Sequence, residues 1–419
     1  MYHKTVLKNG IRIVSERLEH FRSVSLGIWV NVGSRDEGEE ENGISHFIEH
    51  MTFKGTSTRN SLQIAKELDA IGGFSNAFTG AESTCFHSRV LDKHLERLAD
   101  ILSDIFLNSL FEAEDINRER QVILQEISML EDTPDEQVHV LFNAFFWLNH
   151  PLGMPIMGTP VTVTAMDKQT VLGHIRRFYT PGRIIVAAAG NVEHDRLVRY
   201  LEPLFESLPA ATENPVRTAP SGHFGVSCHP KDLEQVHLCL GGNGPHLSSG
   251  HRFAGAVLNA ILGGNMSSRL FQEIREKRGL AYNVFSFVSS YIDAGMLGIY
   301  VATDPKEVNR TLKVIKKEIK KIQKGGVSRS DLEATLEHLI GGILLGSENT
   351  DTRMIRLAKN EGIFNRYISY DEVVSELQKV TVDQVVDVAL RAFEKESVSL
   401  VTLGPLQRDK LDLNNVSFG

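Results

Sequence analysis

The stretch that decides the fold is Gly43-Ile44-Ser45-His46-Phe47-Ile48-Glu49-His50-Met51. His46 and His50 are four residues apart. On a helix that spacing sets both imidazoles on one face, a turn apart. Two nitrogens so placed can converge on one tetrahedral Zn²⁺. Glu49 follows His46 by three residues and precedes His50 by one. Its carboxylate can project beside the metal and accept a proton from bound water, the arrangement of the inverted zinc-hydrolase motif H-x-x-E-H. Ile44, Phe47, Ile48 and Met51 are expected to bury the helix, leaving His46, Glu49 and His50 toward a cleft.

A catalytic zinc takes three protein ligands plus water, and no third His or Cys lies close by in sequence. The richest supply of carboxylates is a predicted helix from Glu112 to Glu131, where Glu119 and Glu126 stand seven apart on the same face. Periodicity leaves open which of them binds metal.

Outward from this centre the chain reads as alternating strands and helices. Thr5-Val-Leu, Asn9-Gly10 and Ile11-Arg-Ile-Val-Ser form a hairpin signal. Ser23 to Val32 alternates small or polar with apolar residues, as a half-buried strand does. Helices are expected at 61–71, 92–108, 112–131 and 161–179, with an extended pair over 74–91 and a Pro- and Gly-rich loop over 150–160. Gln235 to Gly242 resembles the Trp29 strand, and 268–278 reads as a helix before a strand pair over 280–303. The order of the first half recurs in the second, consistent with duplication of a unit of about 200 residues. The expected domains are 1–212 and 225–419, joined by a linker at 213–224.

Composition excludes several function classes. The 419 residues carry 45 basic and 53 acidic side chains, a net charge of −8, which disfavours nucleic acid as a partner. No apolar run approaches the ~20 residues of a membrane span. The N-terminus lacks an apolar signal core. Cys85, Cys228 and Cys239 form no disulfide framework, which suits a reducing cytoplasm. No Gly-Lys-Ser/Thr phosphate loop and no G-x-S-x-G elbow occurs.

His46-Phe-Ile-Glu-His-Met-Thr-Phe-Lys-Gly-Thr resembles the active-site segment of the pitrilysin/insulinase metallopeptidases, most closely the mitochondrial processing peptidase type. The likeness extends through Gly72-Gly-Phe-Ser-Asn-Ala-Phe-Thr-Gly-Ala-Glu-Ser-Thr, Pro151-Leu-Gly-Met-Pro-Ile-Met-Gly-Thr and Phe178-Tyr-Thr-Pro-Gly-Arg. It implies an α+β fold: two similar domains, each a mostly antiparallel sheet covered by helices, enclosing a chamber. It implies Glu126 as the third ligand of one zinc per chain, with Glu119 supporting the site. It also matches Arg275 and Tyr282, in Ile274-Arg-Glu-Lys-Arg-Gly-Leu-Ala-Tyr, to a pair placed over the zinc to stabilise an oxyanion. The second half has no H-x-x-E-H, and the glycine-rich loop of the non-catalytic partner subunit is absent, as expected of the catalytic type.

The expected function is a zinc endopeptidase acting on unstructured, presequence-like peptides, in the bacterial cytoplasm ahead of the mitochondrial matrix. A homodimer, or a heterodimer with a related subunit, is expected. The extended segment from Asn76 to Thr84 is expected to offer a strand edge to substrate, with Ala77 and Phe78 bracketing it and Glu82 attracting a basic side chain. The rivals are a non-catalytic scaffold and a peptide-binding chaperone of the same fold.

Overall fold

The computed structural model describes residues 1–208 and 216–418. Positions 209–212 of the expected first domain, 213–215 of the expected linker and 419 lie outside the described residues. The chain begins with β1 (Tyr2–Val6), β2 (Arg12–Arg17) and β3 (Ser23–Val30), then α1 (Ile44–Thr52) and α2 (Ser61–Ala70). Strands β4 (Phe74–Thr79) and β5 (Thr84–Leu91) precede α3 (Leu95–Asn108), α4 (Ala113–Glu131), α5 (Pro134–Phe146), α6 (Pro160–Ala165) and α7 (Lys168–Phe178). After β6 (Ile184–Gly190) and α8 (His194–Phe205) come β7 (Gly225–Pro230), β8 (Val236–Asn243) and α9 (Arg252–Leu262). A π-helical turn at Phe271–Glu276 leads to β9 (Ala281–Ser290) and β10 (Gly295–Thr303). Helices α10 (Val308–Gln323), α11 (Arg329–Gly346), α12 (Thr350–Phe364), α13 (Tyr370–Gln378) and α14 (Val382–Ala392) precede β11 (Val398–Gly404).

The first sheet runs β1-β2-β6-β3-β5-β4 and the second β7-β11-β8-β10-β9. In the first, β2 and β6 are parallel and every other pair is antiparallel. In the second, β7 and β11 are parallel and the rest antiparallel. Strand for strand, β2-β6-β3-β5-β4 thus repeats as β7-β11-β8-β10-β9. That is the duplication expected from the recurring order of elements, and it pairs the Trp29 strand with β8.

Local chemistry accounts for most element boundaries. Gly10, at φ 100°, turns the β1–β2 hairpin. Asn60 and Gln63 close a capping box at the start of α2. The single helix expected over 161–179 is two, because Asp167 leaves the helical path and caps α7 by accepting from the Thr170 amide. The helix expected over 268–278 spans 269–276, most of it the π-helical turn.

Two compact units cut across the linear halves. One comprises residues 1–128, 154–217 and 346–368; the other holds 129–153, 218–345 and 369–419. Helix α12, late in the chain, therefore belongs to the first unit, and α5, early in the chain, to the second. Each covers the sheet face that the unit's other helices leave open.

In the first unit, α3 packs Leu98, Ile101, Leu102 and Ile105 against Ile13, Val24, Leu26 and Ile28. On the opposite face Met354, Leu357 and Ala358 of α12 pack with Trp29, Cys85, Ile185 and Ala187. Strand β3 is consequently buried on both faces, not half-buried as its alternation predicts. Its buried polar side chain is satisfied from α12: Ser25 Oγ donates to Asp351 Oδ1 at 2.5 Å and lies 2.8 Å from Thr350 Oγ1. Gly27 leaves room for the Met354 thioether, whose sulfur would stand 2.7 Å from a Cβ there. In the second unit, Val138, Phe142 and Phe146 of α5 are buried, and His139 meets Phe287 and Tyr300. Among the described residues no helix is long and apolar enough to cross a membrane.

Met354 is fully buried and contacts Trp29 Nε1 through its sulfur at 3.4 Å. Replacing Met354 by Ala is expected to cost about 2–5 kcal/mol, as truncations of buried long side chains do. Urea unfolding, followed by the fluorescence of the two buried tryptophans, Trp29 and Trp147, measures it.

Candidate metal centre

Helix α1 is only nine residues long. An isolated helix of that length is marginal in water, so its position depends on what it buries. Ile44, Phe47, Ile48 and Met51 are buried together with Ile116, Ile123 and Ile127 of α4. That contact lays α1 along α4 and turns their polar residues toward each other. His46 and His50 then meet Glu126, with one ligand atom of each within 4.8 Å of the others.

The distances fit a metal. His50 Nε2 lies 3.5 Å and His46 Nε2 3.9 Å from Glu126 Oε2. Ligands at ~2.0–2.1 Å from a tetrahedral zinc stand about 3.3 Å apart. The His46 ring is mostly buried and its Nδ1 has no hydrogen-bond partner among the described residues. Burial, with the neighbouring His50 adding to it, pushes its pKa down to about 4. The ring is therefore neutral near pH 7, the form that donates a lone pair to a metal. The nitrogen turned toward Glu126 is the other one, Nε2, whose lone pair is available to a metal in the neutral ring. This donor set, two imidazoles and a carboxylate, suits Zn²⁺.

Glu119 takes a different place. Its Oε2 lies 3.1 Å from His50 Nδ1 and its Oε1 2.5 Å from Lys54 Nζ. The carboxylate can accept from Nδ1 and so fix the tautomer that frees Nε2. The two carboxylates that periodicity does not tell apart thus occupy different places: Glu126 stands among the donor atoms and Glu119 behind His50.

Glu49 projects from the same helix. Thr79 Oγ1, on β4, donates to its Oε2 at 2.6 Å. Burial raises the Glu49 pKa, and the Thr79 hydrogen bond and the charge of His50 oppose that rise. Sequence reasoning missed Thr79 and Lys54. Lys54 lay within the quoted motif, but no spacing rule connects it with Glu119. Thr79 lies thirty residues from Glu49, and only the pairing of β4 along the sheet edge brings it there.

The other predicted residues separate. Asn76 and Ala77 lie on the edge strand β4 and line a cavity of about 420 Å³ together with Glu49, His50, Phe53, Lys54, Ile64 and Leu68. Phe78 instead packs edge-on against Trp29, with ring centroids 5.3 Å apart, so its ring serves the core beneath α12. Glu82 is not free to attract a substrate cation. Its Oε1 pairs with Arg35 at 2.7 Å and lies 3.6 Å from Arg217. Cys85 is fully buried and burial raises its thiol pKa, which fits a core residue and not a nucleophile. In the second unit, the Arg275 guanidinium lies over the Phe271 and Tyr282 rings, at 4.8 and 4.1 Å from their centroids. Tyr282 itself is exposed.

Known proteins match along nearly the whole chain. The family model described as insulinase, peptidase family M16, matches residues 12–160, and that of the peptidase M16 inactive domain matches residues 165–339. The chain is 38% identical over 405 residues to the uncharacterized zinc protease YmxG of Bacillus subtilis, covering 97% of this chain and 98% of the relative. It is 39% identical over 413 residues to an uncharacterized zinc protease of Mycobacterium leprae, covering 97% and 92%. Among solved structures, a protease from Helicobacter pylori shares the fold with a TM-score of 0.90 at 21% identity, over 97% of this chain and 99% of that one. The peptidase M16 inactive domain from Pseudomonas fluorescens does so with 0.89 at 19%, over 97% and 98%. With both family models and full-length relatives in agreement, the chain belongs to the insulinase family of peptidases, family M16.

Proposed function

We propose that this protein is a zinc-dependent endopeptidase that cleaves unstructured peptides bound in extended form. The observation that carries the reading is the convergence of His46, His50 and Glu126 beside Glu49. The relatives' name, zinc protease, supports the same class.

His46, His50 and Glu126 would hold one zinc, which when bound would supply Lewis acidity and lower the pKa of a water. Glu49 is the base: its carboxylate takes a proton from the attacking water and passes it to the leaving amine. Thr79 holds Oε2 of that carboxylate, which leaves Oε1 to carry the proton. Glu119 orients His50, and Lys54 balances the charge of Glu119. Arg275 and Tyr282 are assigned as donors to the oxyanion of the tetrahedral intermediate. Strand β4 ends its sheet. A substrate strand adding there would gain backbone hydrogen bonds with little sequence demand, next to the cavity that Asn76 and Ala77 line. Cleavage inside a two-domain chamber, by a dimer in the cytoplasm, completes the reading.

Glu49→Gln keeps the size of the side chain and removes the base. The variant is expected to retain zinc and to lose about 10²- to 10⁴-fold in kcat on an unstructured peptide. Metal analysis and a cleavage assay on the same sample check this. A scaffold or chaperone of this fold would show no cleavage in the wild type either. Wild-type protein that carries zinc and cleaves no unstructured peptide contradicts the reading.

The two carboxylates of α4 are distinguished by zinc content. Glu126→Gln is expected to release the metal on dialysis, and Glu119→Gln to retain it with affinity lowered about 10- to 100-fold. The reverse order would overturn the ligand assignment. Thr79→Val removes a donor from the base; kcat is expected to fall on the order of tenfold, with zinc content unchanged. Steady-state kinetics on the same peptide reads it.

A further inference from the structure

Helix α1 lacks a capping side chain of its own. Its N-cap is Gly43, at φ 94°, where no side chain can accept from the first turn. Substitution at Gly43 is closed by the fold. A Cβ there would stand 2.6 Å from the Met157 carbonyl oxygen and 2.7 Å from Gly158 Cα, and one on Gly158 would stand 2.5 Å from the Asn42 oxygen. The backbone of the turn at 155–158 therefore presses directly on the start of α1. The first-turn amides still need an acceptor.

That acceptor comes from six residues upstream. Glu37 is 3% exposed, and its carboxylate takes the Gly43 amide on Oε2 at 2.7 Å and the Ser45 amide on Oε1 at 2.9 Å. Oε2 also accepts from Asn42 Nδ2 at 3.1 Å, and the same Asn42 amide donates to the Pro155 carbonyl at 2.9 Å. All three donors are neutral N–H groups. A carboxylate buried among them is held by hydrogen bonding and by the positive end of the helix. Ser45 immediately precedes His46, so the Ser45 bond sets the position of the first ligand along the helix. Two points of attachment, at Gly43 and Ser45, also fix its rotation.

We propose that Glu37 is a positioning residue for the metal centre. Its carboxylate supplies the cap that Gly43 cannot, and through Asn42 it ties the turn at 155–158 to the same point. His46 and His50 are thus presented as a preformed pair. This assignment rests on the zinc reading of His46, His50 and Glu126. It also gives a role to the turn at 155–158, whose sequence marks it only as part of a loop.

The test compares Glu37→Gln with Asn60→Ala in the full chain. Gln offers an N–H where one of the amide donors needs an acceptor. Asn60→Ala removes the cap of α2 in the same unit and serves as the purely structural control. Zinc is titrated into metal-free protein against a chromophoric chelator, and amide exchange is followed at Gly43, Ser45 and Phe47 without metal. E37Q is expected to lower zinc affinity about 10- to 100-fold and to speed exchange at those amides. N60A is expected to lower Tm while leaving both at wild-type values. Wild-type zinc affinity and exchange in E37Q overturn the proposal, as does an equal loss of affinity in N60A. A wild type that takes up no zinc overturns the metal reading together with this role. Should E37Q fail to fold, Asn42→Ala carries the same comparison: it keeps the carboxylate, removes one donor and the Pro155 link, and is expected to give a smaller loss of the same kind. An Asn42→Ala protein with unaltered affinity and exchange then overturns the proposal.

Discussion

Everything at this site depends on keeping two imidazoles of a nine-residue helix a fixed distance from one carboxylate on another. A helix so short does not hold its own place. Burial of Ile44, Phe47, Ile48 and Met51 against Ile116, Ile123 and Ile127 sets its distance from α4. Burial is non-directional, however, and tolerates sliding and rotation. Direction comes from hydrogen bonds: Thr79 on Glu49, Glu119 on His50, and Glu37 on the first turn. The apolar contacts bring the helices together, and the polar ones choose among the arrangements that burial leaves open.

The duplicated topology sharpens the point. Helix α9 follows β8 as α1 follows β3, and it reads Arg252-Phe-Ala-Gly-Ala-Val-Leu-Asn-Ala-Ile-Leu, without His or Glu. Most of it is buried, including Val257, Leu258, Ile261 and Leu262. The same architectural position can therefore be filled by an apolar helix, and metal chemistry is a property of the residues placed on it. Fold and function are separable within one chain.

What could be read from the amino-acid sequence follows the range of each interaction. The histidine pair on one helix face and the hairpin at Asn9-Gly10 are local, and they stand as expected. Strand β3 departs from the half-buried expectation because alternation reports side-chain polarity, not what covers the second face. Ser25 looks like a solvent position until Thr350 and Asp351 arrive to satisfy it. No sequence pattern tells an amphipathic helix which sheet to cover, so the placement of α12 in the first unit and α5 in the second was not legible. Glu82 looked available for the same reason: its partner Arg217 is far away in the chain. Glu126 and Glu119 share one helix face, and their different partners come from where α1 lies along α4, which no spacing in the sequence specifies.

The central claim is that two imidazoles and one carboxylate of this chain hold a single zinc. X-ray absorption at the zinc edge of the loaded wild-type protein tests it most directly, since it reports the atoms around the metal without reference to activity. The expected spectrum has two imidazole scattering patterns and nitrogen or oxygen neighbours at about 2.0–2.1 Å, with no sulfur shell near ~2.3 Å. A sulfur shell, or a spectrum with fewer than two imidazoles, would contradict it.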